Sequence, residues 1–178
     1  MPSRHSCAGR PDLPRPGRWL AVDVGSVRVG VAQSDPEGIL ATPVRTIDRD
    51  LTAAATDRHT IAALAMDIEA TLILVGLPRS LRGDDGTAAA IARDFARGLA
   101  RLVAPIRVRL VDERLTTVQS HRQLQASGRR EREHREVVDQ VAAVLILQGA
   151  LDATRLTGRV PGELVDMSGR KPRQKERG

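Results

Sequence analysis

Three acidic positions in this chain stand where acids are rare. Asp23 lies inside the apolar run Leu-Ala-Val-Asp-Val at residues 20–24. Asp112 and Glu113 directly follow the run at 106–111, and Asp139 opens a segment almost continuously apolar from Val141 through Leu147. A carboxylate buried without a partner is strongly destabilising, so each acid must be paired with a cation or bind one. Asp23 can pair with a cation such as Arg28, and Asp112 and Glu113 can pair with Arg114. Asp139 can answer the positive end of a helix. Taken together the acids admit a more specific chemistry. Carboxylates brought from separate elements to one end of a sheet form the hard oxygen set that Mg²⁺ takes, at about 2.0–2.1 Å and with several waters retained.

The elements that would carry these acids follow from pattern. Residues 20–24 and 28–34 are rich in valine and flank the turn residues Gly25 and Ser26, which predicts a β-hairpin. Asp35-Pro-Glu-Gly38 is a turn signal, and 39–47 reads as a third, edge-like strand interrupted by Pro43. A helix is expected over 48–66, with Leu51, Ala54, Ile61, Leu64 and Ala65 on one face. The wholly apolar run 71–75 is the mark of a strand covered on both sides. A glycine-bearing loop, 76–86, leads to a helix over 87–102 and then to a strand over 106–111. Thr116 and Gln119 have the spacing of a capping box for a helix through about residue 125. A polar loop with arginines follows at 127–135, then a buried helix over 136–153. This order predicts an α/β fold: a mixed five-stranded sheet, made of a three-strand antiparallel meander plus two parallel strands, flanked by helices. Such sheets present functional loops at the carboxyl ends of their parallel strands, where Asp112, Glu113 and the 76–86 loop would gather.

A chain of 178 residues suits one well-cored domain. That domain is expected at 18–153, between disordered basic tails at 1–17 and 154–178. Aromatic residues make up only 1% of the chain, so stacking of bases on aromatic rings is not its main device for holding nucleic acid. The formal net charge is +6, and it resides in the tails, leaving 19–151 neutral. Attraction of a polyanion must then come from the tails, from local arginine clusters or from bound cations. The single cysteine, Cys7, excludes a disulfide within the chain and points to a reducing compartment. No apolar run approaches the roughly 18 residues of a membrane span, and the N-terminus lacks the apolar core of a signal peptide. A soluble, cytoplasmic protein is expected. The four histidines share no metal-ligand spacing.

Four segments together resemble a known family. They are Asp23-Val-Gly-Ser-Val-Arg-Val-Gly-Val-Ala32; Gly76-Leu-Pro with Gly83 and Gly86; Asp112-Glu-Arg-Leu-Thr116; and Asp139-Gln-Val-Ala-Ala-Val-Leu-Ile-Leu-Gln148. In sequence and order they resemble the YqgF family, also called RuvX, whose fold is RNase H-like as in the junction resolvase RuvC. Its members are described as Holliday junction resolvases or as nucleases that mature the 5′ end of pre-16S ribosomal RNA. The resemblance implies that Asp23, Glu113 and Asp139 are catalytic acids holding Mg²⁺, with Mn²⁺ as a substitute, and that the substrate is precursor RNA or branched DNA. Asp23 would bridge two ions roughly 3.5–4 Å apart, with Glu113 and Asp139 completing their shells. On sequence grounds Asp112 and Glu113 are exchangeable. Arg28 and Arg114 are candidates for phosphate contact, and the cluster Arg129, Arg130, Arg132 and Arg135 for gripping the backbone. One departure is the stretch Glu136-Val137-Val138, where relatives often carry a basic or glycine residue. A monomer or weak homodimer is expected. The alternatives are a nucleic-acid-binding module without catalysis, and an ATPase of the actin type, which would need a second lobe.

Overall fold

The computed structural model describes residues 17–78, 86–112 and 131–166, apart from the side chains of 131–139. Its strands are β1 (Trp19–Val24), β2 (Arg28–Ser34), β3 (Ala41–Asp48), β4 (Leu72–Leu77), β5 (Arg107–Asp112) and β6 (Glu163–Leu164). Its helices are α1 (Thr56–Asp67), α2 (Thr87–Val103) and α3 (Glu131–Thr157). The sheet runs β3-β2-β1-β4-β5-β6. The first three strands form the antiparallel meander, and β4 and β5 continue parallel to β1.

Strand alternation sorts the core into two layers. Leu20, Val22, Ile73, Val75, Val108 and Leu110 point to one face and pack against α1 and α2, around the fully buried Phe95. Trp19, Ala21, Leu72, Leu74 and Val111 point to the other and meet Ala143, Ile146, Leu147, Ala150 and Leu151 of α3. The helix residues recur at three and four, the spacing of one helical stripe. Between β1 and β2 the Gly25 N–H donates to the Arg28 carbonyl at 2.9 Å. A Cβ on Gly25 would stand 2.8 Å from that oxygen, so the turn requires glycine. Pro43 is accommodated because β3 is an edge strand and the ladder shifts register between Val31 and Ala32.

The structure corrects the sequence reading at three places. The expected helix at 48–66 starts eight residues later, at Thr56. Asp48 still belongs to β3, and the intervening loop is built by Asp50, whose carboxylate accepts from the N–H and hydroxyl of both Thr52 and Thr56. Leu51 is consequently 79% exposed instead of lining the helix face. At its other boundary, α3 is helical from Glu131, so Arg132 and Arg135 lie on a helix and not in the expected loop.

The sheet, finally, has six strands and not five. Residues assigned to a disordered tail at 154–178 instead continue α3 to Thr157 and add β6 against β5. Gly158 and Gly162, with φ +67 and +83, turn the chain back to the sheet edge. There Arg93 pairs with Glu163, and Arg109 donates to the carbonyls of Pro161 and Gly162. A two-residue strand carries no readable period, which is why the pattern gave no sign of it. Among the described residues no helix is long and apolar enough to cross a membrane.

Candidate active site

Asp23 stands on the central strand with a glycine beside it on each side. Its partner across the hairpin is Gly30. On the other side Val22 pairs with Val75, so the next rung meets Gly76. The residues on both adjoining rungs are glycines, and Asp23 itself is half-buried. By alternation Asp23 shares the sheet face of Trp19 and Ala21, the face covered by α3.

The same rung extends to the helix. Gly30 pairs with Thr46 of β3, and the Gln140 side-chain amide donates to the Thr46 hydroxyl at 3.3 Å. The beginning of α3 is thereby held at the level of Asp23, and the residue next to Gln140 is Asp139. Asp139 precedes Ala143 by four residues, one turn before the first buried position of the α3 stripe. The backbone thus holds the start of α3, which carries Asp139, at the level of Asp23. Thr46 and Gln140 were missed by the sequence reading. The only available signal was that Gln140 adjoins Asp139, and register cannot be read from a single strand.

Asp112 pairs with Leu77 at the carboxyl end of β5. It has the parity of Val108 and Leu110, which belong to the α1/α2 layer, the face opposite to that of Asp23. Glu113, Arg114, Arg129 and Arg130 lie outside the described residues. Arg28, at the start of β2, approaches Asp48 at 3.8 Å. Its Nη1 is buried without a hydrogen-bond partner, while Asp48 is 94% exposed. This is a loosely held guanidinium with donor capacity in reserve. Behind it, Arg49 and Asp57 form a buried ion pair at 3.5 Å, with the Arg49 guanidinium 4.9 Å from the Phe95 ring centroid. That pair fixes the α1/α2 layer and takes no part in the site.

The donor chemistry at Asp23 suits a hard divalent cation: a carboxylate on a strand paired on both sides. Among the described residues no three His, Cys, Asp or Glu side chains gather into a complete ligand set. Glu113 and the Asp139 side chain fall outside those residues.

Residues 17–153 match the family described as RuvX: Holliday junction resolvase. The chain belongs to the RuvX family. It is 51% identical over 154 residues to a Streptomyces avermitilis protein named "Putative pre-16S rRNA nuclease", covering 86% of this chain and 97% of that protein. A Rhodococcus erythropolis protein of the same name is 53% identical over 154 residues, covering 85% and 86%. The structure of Thermus thermophilus RuvC in complex with a Holliday junction substrate matches with a TM-score of 0.54 at 10% identity, over 82% of this chain and 99% of that one. A likeness at that identity speaks for the shared RuvC-type, RNase H-like fold.

Proposed function

We propose that this RuvX-family chain is a Mg²⁺-dependent endonuclease that hydrolyses phosphodiester bonds in 5′-end processing of pre-16S rRNA. The observation that carries the proposal is the rung Asp23–Gly30–Thr46, to which Gln140, the neighbour of Asp139, is hydrogen-bonded. Glu113 completes the set. Asp112, which has the parity of the α1/α2 layer, is the less suited of the two neighbouring acids.

The assigned ligands are Asp23, Glu113 and Asp139, for Mg²⁺ or Mn²⁺. Bound there, divalent cations would lower the pKa of water and stabilise the oxygen leaving phosphorus. The chain's own contribution is geometric and electrostatic. Asp23 sits on a strand paired on both sides, which holds it rigidly. Gly30 and Gly76 set no side chain of their own beside it. Arg28 supplies a donor to a neighbouring phosphate, exchanging its 3.8 Å contact with Asp48 for a stronger charge-assisted one. Arg114, Arg129 and Arg130 are assigned to further backbone contacts, and 18–153 to the catalytic unit. Hydrolysis breaks the bond from phosphorus to the 3′ oxygen and leaves a 5′ phosphate. A monomer in the cytoplasm suffices for RNA trimming, whereas a two-fold junction requires two sites.

The RuvC likeness favours a second reading, resolution of branched DNA. The experiment is incubation of the full chain with end-labelled precursor 16S RNA and, separately, a four-way DNA junction, in Mg²⁺ or EDTA. The expected result is Mg²⁺-dependent cutting of the RNA near the mature 5′ end. Faster, symmetric cutting of the junction would transfer the assignment to DNA, and binding without cutting of either would refute the nuclease.

A further inference from the structure

We infer that Gln148 is a positioning residue for Asp139, which it serves by locking α3 lengthwise against the β2–β3 connection. The inference rests on the reading of Asp139 as an acid of the site. The Gln148 side-chain amide makes three hydrogen bonds, with both N–H donors used. Its Oε1 accepts from the Ala41 N–H at 2.9 Å, and its Nε2 donates to the Ile39 carbonyl at 3.0 Å and to the Asp152 carboxylate at 3.1 Å. Exchanging the amide oxygen and nitrogen would set donor against donor at Ala41 and acceptor against acceptor at Ile39 and Asp152, so only one orientation works. The receiving turn is itself shaped by a side chain. Asp35 Oδ1 accepts from the N–H groups of Ile39 and Leu40, at 2.6 and 3.0 Å.

Such a lock adds direction to a contact that is otherwise apolar, with Trp19, Leu72, Leu74 and Val111 of the sheet against Ile146, Leu147 and Leu151 of α3. Small side chains make up much of the contact: Ala143 and Ala150 on α3, and Ala21, Ala32 and Ala41 on the sheet. Hydrophobic attraction is non-directional and does not by itself fix how far a helix slides or rolls. Directional hydrogen bonds do. Gln140 and Gln148 are eight residues apart, about 12 Å along a helix, and both are tied to β3, at Thr46 and Ala41. Two anchors on one strand set both the translation and the roll of α3. Asp139 adjoins the first anchor and depends on the second to stay in register with Asp23. Misplacement by 1 Å can reduce a rate about a hundredfold, so a small slide matters.

The test measures Mn²⁺ affinity of the full chain by electron paramagnetic resonance of the free ion, with thermal melting alongside. It compares wild type, Asp139→Asn and Gln148→Met, the last an apolar replacement of similar volume. Gln148→Met is expected to bind Mn²⁺ about tenfold more weakly, the size of effect typical of groups that orient a ligand, while Asp139→Asn loses the site. Gln148→Glu keeps an acceptor for Ala41 but sets a carboxylate against the Ile39 carbonyl and the Asp152 carboxylate, so it is expected to weaken binding at least as much as Gln148→Met, and it serves also if the Met variant fails to fold. Wild-type affinity in the folded Gln148 variants with loss in Asp139→Asn would overturn the lock alone. Wild-type affinity in all of them would overturn the lock together with the assignment of Asp139.

Discussion

Asp23 owes its chemistry to its neighbours: a half-buried carboxylate on a doubly paired strand, with glycine on the adjoining rungs. Other aspartates in the chain are built into turns instead, and their titration reports on the fold. Asp35 is held below the ordinary carboxylate range, first by the Leu40 N–H and then by that of Ile39. Asp50 is pushed lower still, first by the Thr52 hydroxyl and then by the Thr56 and Thr52 N–H groups. A carboxylate whose folded pKa is depressed contributes stability that is fully present above its unfolded value, about 3.9, and is lost as pH falls through the folded value. The chain should therefore lose stability progressively below about pH 4. Asp35→Asn should lose less over the same interval, because the neutral side chain has no charge to titrate. Thermal melts at pH 6 and pH 3 check this, and an equal drop in variant and wild type would contradict it. Of these, Asp50 fell inside the helix expected over 48–66, and only Asp35 was visible in the sequence as a turn residue. Their hydrogen bonds were not, since these depend on N–H groups two to six residues ahead being folded back.

At the scale of elements, what the sequence revealed was whatever repeats. The valine-rich hairpin, the apolar β4 and the long α3 each hold a pattern over enough residues to be read. Asp23, Asp112 and Asp139 could be assigned to their strands and helix on that basis. The start of α1 was obscured because Asp50 and its threonines replace helix with a hydrogen-bonded loop. The strand β6 escaped because it rests on two glycines and two arginines and not on periodicity. Gly162 makes a sharp prediction. Its φ of +83 already disfavours any side chain, and a Cβ there would lie 2.2 Å from the Leu110 carbonyl oxygen. Gly158 has a similar φ of +67 with nothing within 4 Å. Gly158→Ala should then lose about 1–2 kcal/mol from conformation alone, and Gly162→Ala clearly more. Urea denaturation of both variants measures the difference, and equal losses would show that the close approach to Leu110 is relieved elsewhere.

Over the whole molecule, the sheet divides the work between its faces. One face, under α1 and α2, is closed by Phe95 and the buried Arg49–Asp57 pair. The other carries Asp23 and receives α3, whose start is tied to the rung of Asp23 through Gln140 and Thr46. Alternation along β5 gives Asp112 the parity of the α1/α2 layer, a facing the sequence left open because it follows from register. The formal charge of +6 lies outside residues 19–151, so the acids need cations before a polyanion can approach them. The most direct measurement is therefore the Mg²⁺-dependent cleavage rate of precursor 16S RNA by wild type and Asp23→Asn, each confirmed folded by its melting curve. Loss of a group that merely orients a metal ligand costs about 10–100-fold, so loss of the ligand itself should lower the rate by more than about a hundredfold with the melting temperature held. A folded Asp23→Asn that cuts at the wild-type rate would contradict the account.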